Sequence, residues 1–327
     1  MAQTSRLPFV TLDVFTKDRY AGNPLAVVRV PQSHALSQEQ KQIIAREFNY
    51  SETVILHDEE SEYAPGASRT IDIFMTDAEL PFAGHPTIGT ACLLGAAGIG
   101  KVNDESQIEG TIVTKAGPIP FRYDSITQAA YVEVPHNVRI HKRYLSLAEM
   151  AKVGFAKLLC ENIVGPSPFV SIVKGMTFAL IQLPSNEILS TVTTGQPDLG
   201  DDLDRPWHSE SSFLGIYFFV NHGIRANGTV SLSTRMVVGS LEDPATGSAA
   251  LALSAYLAMQ MLQDHSTSDM TGADEQWTSR FEIEQGFDMG RASRIETEVW
   301  LNRTTKEVQK IALGGSAVKV MEGHLSI

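Results

Sequence analysis

Glu242-Asp243-Pro244-Ala245-Thr246-Gly247-Ser248, late in the chain, repeats the pattern of Glu79-Leu80-Pro81-Phe82-Ala83-Gly84-His85. Each segment runs straight into a stretch of small residues with the pattern of a helix. The offset is 163 for Pro81 and Pro244, for Gly84 and Gly247, and for His85 and Ser248, in a chain of 327 residues. An ungapped offset of half a chain length marks a duplication. An acidic residue, a proline and a tight glycine turn before a helix also leave unpaired backbone N–H groups where a ligand carboxylate can sit. For one copy alone, Pro and Gly that merely shape the helix entry are the simpler reading. Two matching copies favour a pair of helix starts that grip one anion.

Phe9 to Phe15 alternates as a strand, Asp18 to Pro24 has turn chemistry, and Leu25 to Val30 is a second strand, so the chain opens as a hairpin. Ser37 with Gln40 forms a capping-box pattern, and Ile43, Ile44 and Phe48 are expected to mark the buried stripe of a helix ending near Asn49. Thr53 to Leu56 and Arg69 to Thr76 read as strands, with Glu52 at the mouth of the first. The helix expected from Pro86 to about Ala97 is apolar nearly all round, which predicts a sheet wrapped around it. Thr111 to Thr114 and Tyr131 to Val134 are further strands, with Gly117-Pro118 turning the chain.

The second half begins again at Pro168-Phe169-Val170, echoing Pro8-Phe9-Val10. Strands at Phe178 to Leu183, Ile216 to Val220 and Arg235 to Val238 lead to the second copy of the device and a helix from Ser248 to about Leu262. Phe281 to Gln285, Glu296 to Leu301, Val308 to Leu313 and Ala317 to Val320 complete the strands. Gln196 to Ser212 and Asp264 to Thr278 fall outside the pattern and read as solvated surface loops, with ligand gating as the alternative.

A hydrophobic content of 43%, with both halves patterned alike, supports two cores. The formal net charge of −12 and the lack of any Lys/Arg-rich run argue against nucleic acid or an anionic membrane as a partner. Cys92 and Cys160 are too few for a disulfide framework and wrongly spaced for zinc, so both are expected as buried small hydrophobes. Met1 to Pro8 has no apolar signal region and no segment is long enough to span a membrane, so a cytoplasmic enzyme or binding protein is expected.

Gly98-Ile99-Gly100-Lys101 lacks the form of a phosphate loop, and no dinucleotide fingerprint follows a strand. His136 and His141 do not share a helix face and are expected at the surface; no metal and no cofactor is predicted. Gly314-Gly315-Ser316 is not a nucleophile elbow, since Val318 stands where a second glycine belongs. Three proton-handling groups remain near the two devices: Glu52, His85 and Asp243.

Asn23-Pro24, Asn49-Tyr50-Ser51-Glu52-Thr53, Pro81-Phe82-Ala83-Gly84-His85-Pro86, Glu242 to Ser248, Glu284-Gln285-Gly286 and Met289-Gly290-Arg291 resemble, in order and spacing, the signature of the phenazine-biosynthesis PhzF-like family. The resemblance spans almost the whole chain. It implies the α+β fold of diaminopimelate epimerase: two similar domains, each a curled, mostly antiparallel sheet around a central helix, with the active site in the cleft between them. The domains are expected at 1–135 together with about 317–327, and at 136–316. A homodimer is implied by the resemblance alone.

In epimerases of this fold two cysteines move a proton between the faces of a stereocentre. Ala83 and Thr246 resemble those positions here, and neither can act as a thiolate. The resemblance implies instead a single base, Glu52, that takes a proton from one carbon and returns it to another. A carboxylate at a strand mouth in an apolar cleft is expected to have its pKa raised toward neutrality; the plain alternative is that Glu52 caps the preceding helix. His85 and Asp243 are expected to orient the substrate's amino or hydroxyl group, although His85 could serve its own turn and Asp243 could cap its helix. Gly84, Gly247 and Ser248 would offer N–H groups and a hydroxyl to a carboxylate. Asn23 and Thr246 join them as candidate substrate-binding residues, and Gln285 and Arg291 belong to the motif without a clear task.

The expected function is therefore a cofactor-independent isomerase of a small carboxylate-bearing cyclic or unsaturated metabolite, of the trans-2,3-dihydro-3-hydroxyanthranilate isomerase type. The alternatives are an epimerase or lyase of the same fold, or a non-catalytic small-molecule binding protein.

Overall fold

The computed structural model describes residues 6–58, 68–103, 106–152, 157–194, 203–205, 207, 212–265 and 275–327. The chain divides into two compact units, Met1–Glu133 with Leu313–Ile327, and Val134–Ala312.

The first unit opens with β1 (Arg6–Val14), β2 (Asn23–Val30), α1 (Gln38–Phe48) and β3 (Thr53–His57). It continues through β4 (Ser68–Phe74), β5 (Glu79–Leu80), α2 (Gly84–Ala96) and β6 (Lys101–Val102) to β7 (Gln107–Thr114), β8 (Gly117–Asp124) and β9 (Ala129–Glu133). The second unit has β10 (Arg139–Leu145), α3 (Leu147–Lys152), α4 (Lys157–Glu161), β11 (Ser167–Val173), β12 (Met176–Gln182) and α5 (Asn186–Leu189). It then runs through β13 (Phe213–Ile224), β14 (Thr229–Val238), β15 (Leu241–Asp243), α6 (Gly247–His265), β16 (Gln276–Gln285) and β17 (Ser293–Asn302). The last strand, β18 (Val308–Ser326), begins in the second unit and ends in the first, where it pairs antiparallel with β1.

The pairing pattern repeats strand for strand. In the first unit β1–β2 is antiparallel, β2–β3 parallel, β3–β4 and β4–β5 antiparallel, β4–β7 parallel and β7–β8 antiparallel. In the second unit β11–β12, β12–β13, β13–β14, β14–β15, β14–β16 and β16–β17 follow the same sequence of directions. Each parallel pair needs a crossover, supplied in turn by α1 and α5 and by α2 and α6. Duplication of one topology is what the ungapped offset records.

Each sheet curls around its long helix. α2 touches β1 and β2 as well as β8 and β9; α6 touches β11 and β12 as well as β16 and β17. Encirclement explains the apolar composition: Ile88, Ala91, Cys92 and Leu94 of α2, and Ala249 to Leu253, Ala255 and Ala258 of α6, are buried. A second layer forms outside the first sheet, where Ile44 and Ala45 of α1 pack on Leu7, Val28, Val30, Ile55 and Phe74. Each large aliphatic side chain so buried contributes about 1.5–3 kcal/mol.

Several expectations change. The capping box of Ser37 and Gln40 is present, but Ile43 is exposed and Ala45 is buried beside Ile44. At 100° per residue the stripe turns over Ile44, Ala45 and Phe48, and leaves Ile43 on the flank. His141 is buried, not at the surface: β10 alternates inward at His141 and Leu145, and the imidazole Nδ1 accepts from Asp204 N at 3.0 Å while Nε2 donates to Ser171 Oγ at 2.8 Å. Cys160 is half-buried against the second core, whereas Cys92 is buried.

The stretch from Gln196 to Ser212 is anchored where it is described. Leu203 is buried in the second core and Asp204 pairs with Arg139 at 2.6 Å. The rest of that stretch, and 266–274 of the second polar stretch, lie outside the described residues, while Gln276 to Thr278 already belong to β16. Residues 1–5 also lie outside the described residues.

Candidate active site

Both devices are the last leg of a short hairpin feeding a helix. β5 pairs with β4 and leads to α2; β15 pairs with β14 and leads to α6. The acidic residue that opens each device is held by a cation: Glu79 pairs with Lys115, just past the end of β7, and Glu242 takes a two-pronged contact at 2.7 Å from Arg235 on the other strand of its hairpin. Arg235 also donates to the carbonyls of Leu189 and Ser190 at 3.1 Å, which fixes the approach to Asp243.

At the start of α2, Ala83 is extended and has no side chain that can cap. The N–H groups of Gly84 and His85 precede the first intrahelical bond, made by Thr87 N to Ala83 O at 3.3 Å. The corresponding first bond in α6 runs from Ala250 N to Thr246 O at 3.0 Å, so Gly247 and Ser248 stand at its open end. Both helix ends carry the partial positive charge of their dipoles, with no acidic side chain in the first turn.

The register Ala26↔Thr53 sets Glu52 beside the Asn23-Pro24 end of β2. His85 bridges this corner: its Nδ1 lies 2.9 Å from Glu52 Oε2, and its Nε2 donates to Pro24 O at 3.2 Å. Asn23 is buried, with its Oδ1 3.5 Å from Ser51 Oγ. Because a carbonyl only accepts, Nε2 carries a hydrogen, and one further proton is left to the pair, on Nδ1 or on Glu52. Residue 52 is not the cap of α1, which is closed by Asn49 in the left-handed conformation donating to Ala45 O.

Glu52 does not have the raised pKa expected from its sequence setting. Burial pushes the carboxyl up, but the charge of His85 and hydrogen bonds from His85 and Ser51 outweigh it and hold the group below its ordinary 4.5. The side chain is 19% exposed and that of its partner His85 is 4% exposed, so little water screens the pair.

In the second unit, Asp243 Oδ2 accepts from the Thr246 hydroxyl at 2.5 Å. Gln285 lies behind them, donating from Nε2 to Asp243 O at 2.8 Å and to Thr246 Oγ1 at 3.0 Å. Its Oε1 accepts from Thr246 N at 3.3 Å and from the Tyr217 hydroxyl at 3.0 Å. Burial pushes the Tyr217 phenol well above its ordinary range and keeps it a neutral donor. The Thr246 N–H and O–H are thus both turned onto protein partners. The sequence carries Gln285 in a motif but hides its task, because the parallel pairing Thr234↔Gln285 that delivers it joins residues 51 apart.

Gly286 follows with φ +76°, and a Cβ there would lie 2.5 Å from Arg291 O and 2.6 Å from Pro244 O. Only glycine permits this approach, which holds the 286–291 loop against the second device. Arg291 closes the loop through its N–H to Gly286 O at 2.9 Å.

Cys92 does not offer a thiolate, since burial pushes its thiol up to about 12. Among the described residues there is no cluster of three His, Cys, Asp or Glu groups able to hold a metal ion, and no helix long and apolar enough to cross a membrane.

The sequence model of the phenazine biosynthesis-like protein family matches residues 12–323. An uncharacterised isomerase of Mesorhizobium japonicum is 32% identical to this chain, with 98% of each chain covered. A trans-2,3-dihydro-3-hydroxyanthranilate isomerase of Pseudomonas aeruginosa is 28% identical over 97% of this chain and 98% of its own. A solved PhzF-family phenazine biosynthesis protein of Bacillus anthracis has a similar fold, with a TM-score of 0.70 at 19% identity, covering 99% of this chain and 100% of that one.

Proposed function

The chain belongs to the phenazine biosynthesis-like family and is an isomerase of it, and from that premise we propose that it moves a proton between two carbons of a small carboxylate-bearing, cyclic or unsaturated metabolite with Glu52 as the acid/base. The observation that carries this reading is the 2.9 Å contact between Glu52 and His85 beside the uncapped start of α2.

As an ionised carboxylate, Glu52 takes the proton from the substrate carbon, and the electron pair moves into an enol or dienol. The pairing that lowers its pKa makes it a weaker base, yet makes neutral Glu52 a readier donor when the proton returns to the second carbon. Negative charge developing on the substrate is met by the N–H of Gly84, and by those of Gly247 and Ser248, at positive helix ends. Asp243 orients the substrate's amino or hydroxyl group. Asn23 supports the Glu52 corner.

A single base suits this chain, because Ala83 and Thr246 offer no thiolate pair of the kind a two-base epimerase uses. The reaction is proposed to need no cofactor, in a cytoplasmic homodimer. Trans-2,3-dihydro-3-hydroxyanthranilate, the substrate in the name of the Pseudomonas relative, is the first probe for the site.

Proton NMR in D₂O with that compound and a panel of small cyclic and unsaturated amino and hydroxy acids tests the reading. Wild type is expected to form product or take up deuterium, and Glu52→Gln to slow this by about 10²–10⁴-fold while still binding. Equal turnover by Glu52→Gln removes Glu52 from the reaction. Binding shifts without exchange by wild type would make the protein a small-molecule binder.

A further inference from the structure

We propose that Gln285 is a positioning residue: it occupies the acceptor side of the Thr246 hydroxyl, turns that hydroxyl's proton onto Asp243, and so fixes the rotation of the Asp243 carboxylate. Each hydrogen bond around Gln285 has a fixed polarity. Asp243 O can only accept and Thr246 N can only donate, so the Gln285 amide has one allowed orientation, with Nε2 toward the first and Oε1 toward the second. In that orientation the second Nε2 hydrogen points at Thr246 Oγ1, 3.0 Å away. A hydroxyl that accepts there has its own proton left to give, and Asp243 Oδ2 receives it at 2.5 Å.

The amide is itself held from behind. Thr234 Oγ1 donates to Glu284 O at 3.0 Å, which leaves it an acceptor, so the single Tyr217 proton is shared between Thr234 Oγ1 and Gln285 Oε1, each 3.0 Å away. All four valences of the Gln285 amide are filled in a side chain that is 1% exposed. A buried polar chain so completely satisfied holds a single geometry. The Thr246 hydroxyl passes this order on to the carboxylate of Asp243. That this carboxylate meets the substrate is the reading proposed above, and the inference rests on it.

The test compares Thr246→Val, Gln285→Glu and Thr246→Ser with wild type, all as full-length protein with folding checked by thermal melts. The first readout is the ¹³Cγ resonance of Asp243 at fixed neutral pH, assigned by its loss in Asp243→Asn. Thr246→Val and Gln285→Glu are expected to displace it, and Thr246→Ser, which keeps the hydroxyl, to restore it. The second readout is deuterium exchange into substrate, where the two disruptive variants are expected to lose about 10–10²-fold in kcat with KM changed by less than about threefold, as for a misoriented group. Combining them is expected to cost no more than either alone.

An unmoved resonance and wild-type kcat in folded Thr246→Val would overturn the proposal, and that variant is near enough in shape to fold even if Gln285→Glu does not. If the resonance moves as expected while Asp243→Asn turns over normally, the hydrogen-bond relay stands and the role of Asp243 toward substrate falls.

Discussion

Glu52 stands between two opposed influences, burial that favours its neutral form and the imidazole of His85 that favours the carboxylate. The second prevails, and this fixes the sign of a pH prediction. In wild type the acid limb of kcat/KM is expected below the ordinary carboxylate value of 4.5. In His85→Ala burial acts with only the Ser51 hydrogen bond against it, so the limb moves to higher pH, and turnover near neutrality falls by about tenfold or more as the proton's partner is lost. Deuterium exchange measured across pH separates the cases: a limb that stays in place in His85→Ala would show that His85 does not set the charge on Glu52. The sequence made Glu52 legible as a candidate but had the direction of its pKa wrong, because the decisive partner lies 33 residues away, at the start of α2, and meets Glu52 only in the folded chain. Gln285 was opaque for the same reason.

At the scale of elements, the long helices show what local pattern can and cannot disclose. The apolar girth of α2 announced a surrounding sheet, and the capping box placed the start of α1, because both are properties of neighbouring residues. The inward turn of His141 was not legible, since β10 has no hydrophobic alternation to mark its inner face. The same limit applies to the two glycines inside α2, which helix propensity alone would count as defects. A Cβ at Gly95 would lie 2.3 Å from Tyr123 Cγ, at the root of a ring, whereas one at Gly89 would meet the terminal methyl groups of Leu25 and Val14 at 2.5 and 2.8 Å. Alanine gains about 1 kcal/mol of helix propensity at either site. Overpacking costs about 1–3 kcal/mol in a well-packed core. Gly95→Ala is therefore expected to be net destabilising by about 1–2 kcal/mol, and Gly89→Ala to be close to neutral. Urea unfolding midpoints of the two variants check the ranking, and a Gly95→Ala protein as stable as wild type would mean that the Tyr123 ring yields freely.

Over the whole molecule, the repeated device and its constant offset disclosed a duplicated architecture, while the return of β18 to the first unit came only from family resemblance, since no local pattern says which strand a chain end will join. Charge is the other property of the whole chain, and its consequence depends on where the carboxylates sit. With a net charge of −12, self-repulsion eases as pH falls from neutrality, which favours the folded state until paired carboxylates begin to protonate. Asp72 is one such carboxylate in the first unit. It ties three elements together, 2.8 Å from His57 Nε2 on β3 and 2.5 Å from Lys41 Nζ on α1. Burial raises its pKa, but the hydrogen bonds and charges of His57 and Lys41 bring it down to about 2 from an ordinary 3.8. A depressed folded-state pKa stabilises fully above the ordinary value and is lost as pH falls through the folded one, so about 2 kcal/mol disappears between roughly pH 4 and pH 2. Asp72→Asn is expected to be less stable than wild type by about that amount at pH 6, with the gap closing toward pH 2. Because Trp207, Trp277 and Trp300 all lie in the second unit, far-UV circular dichroism is the probe to follow in urea unfolding, with fluorescence as the control for that unit. A gap of constant size from pH 6 to pH 2 would show that Asp72 acts through packing and not through its charge.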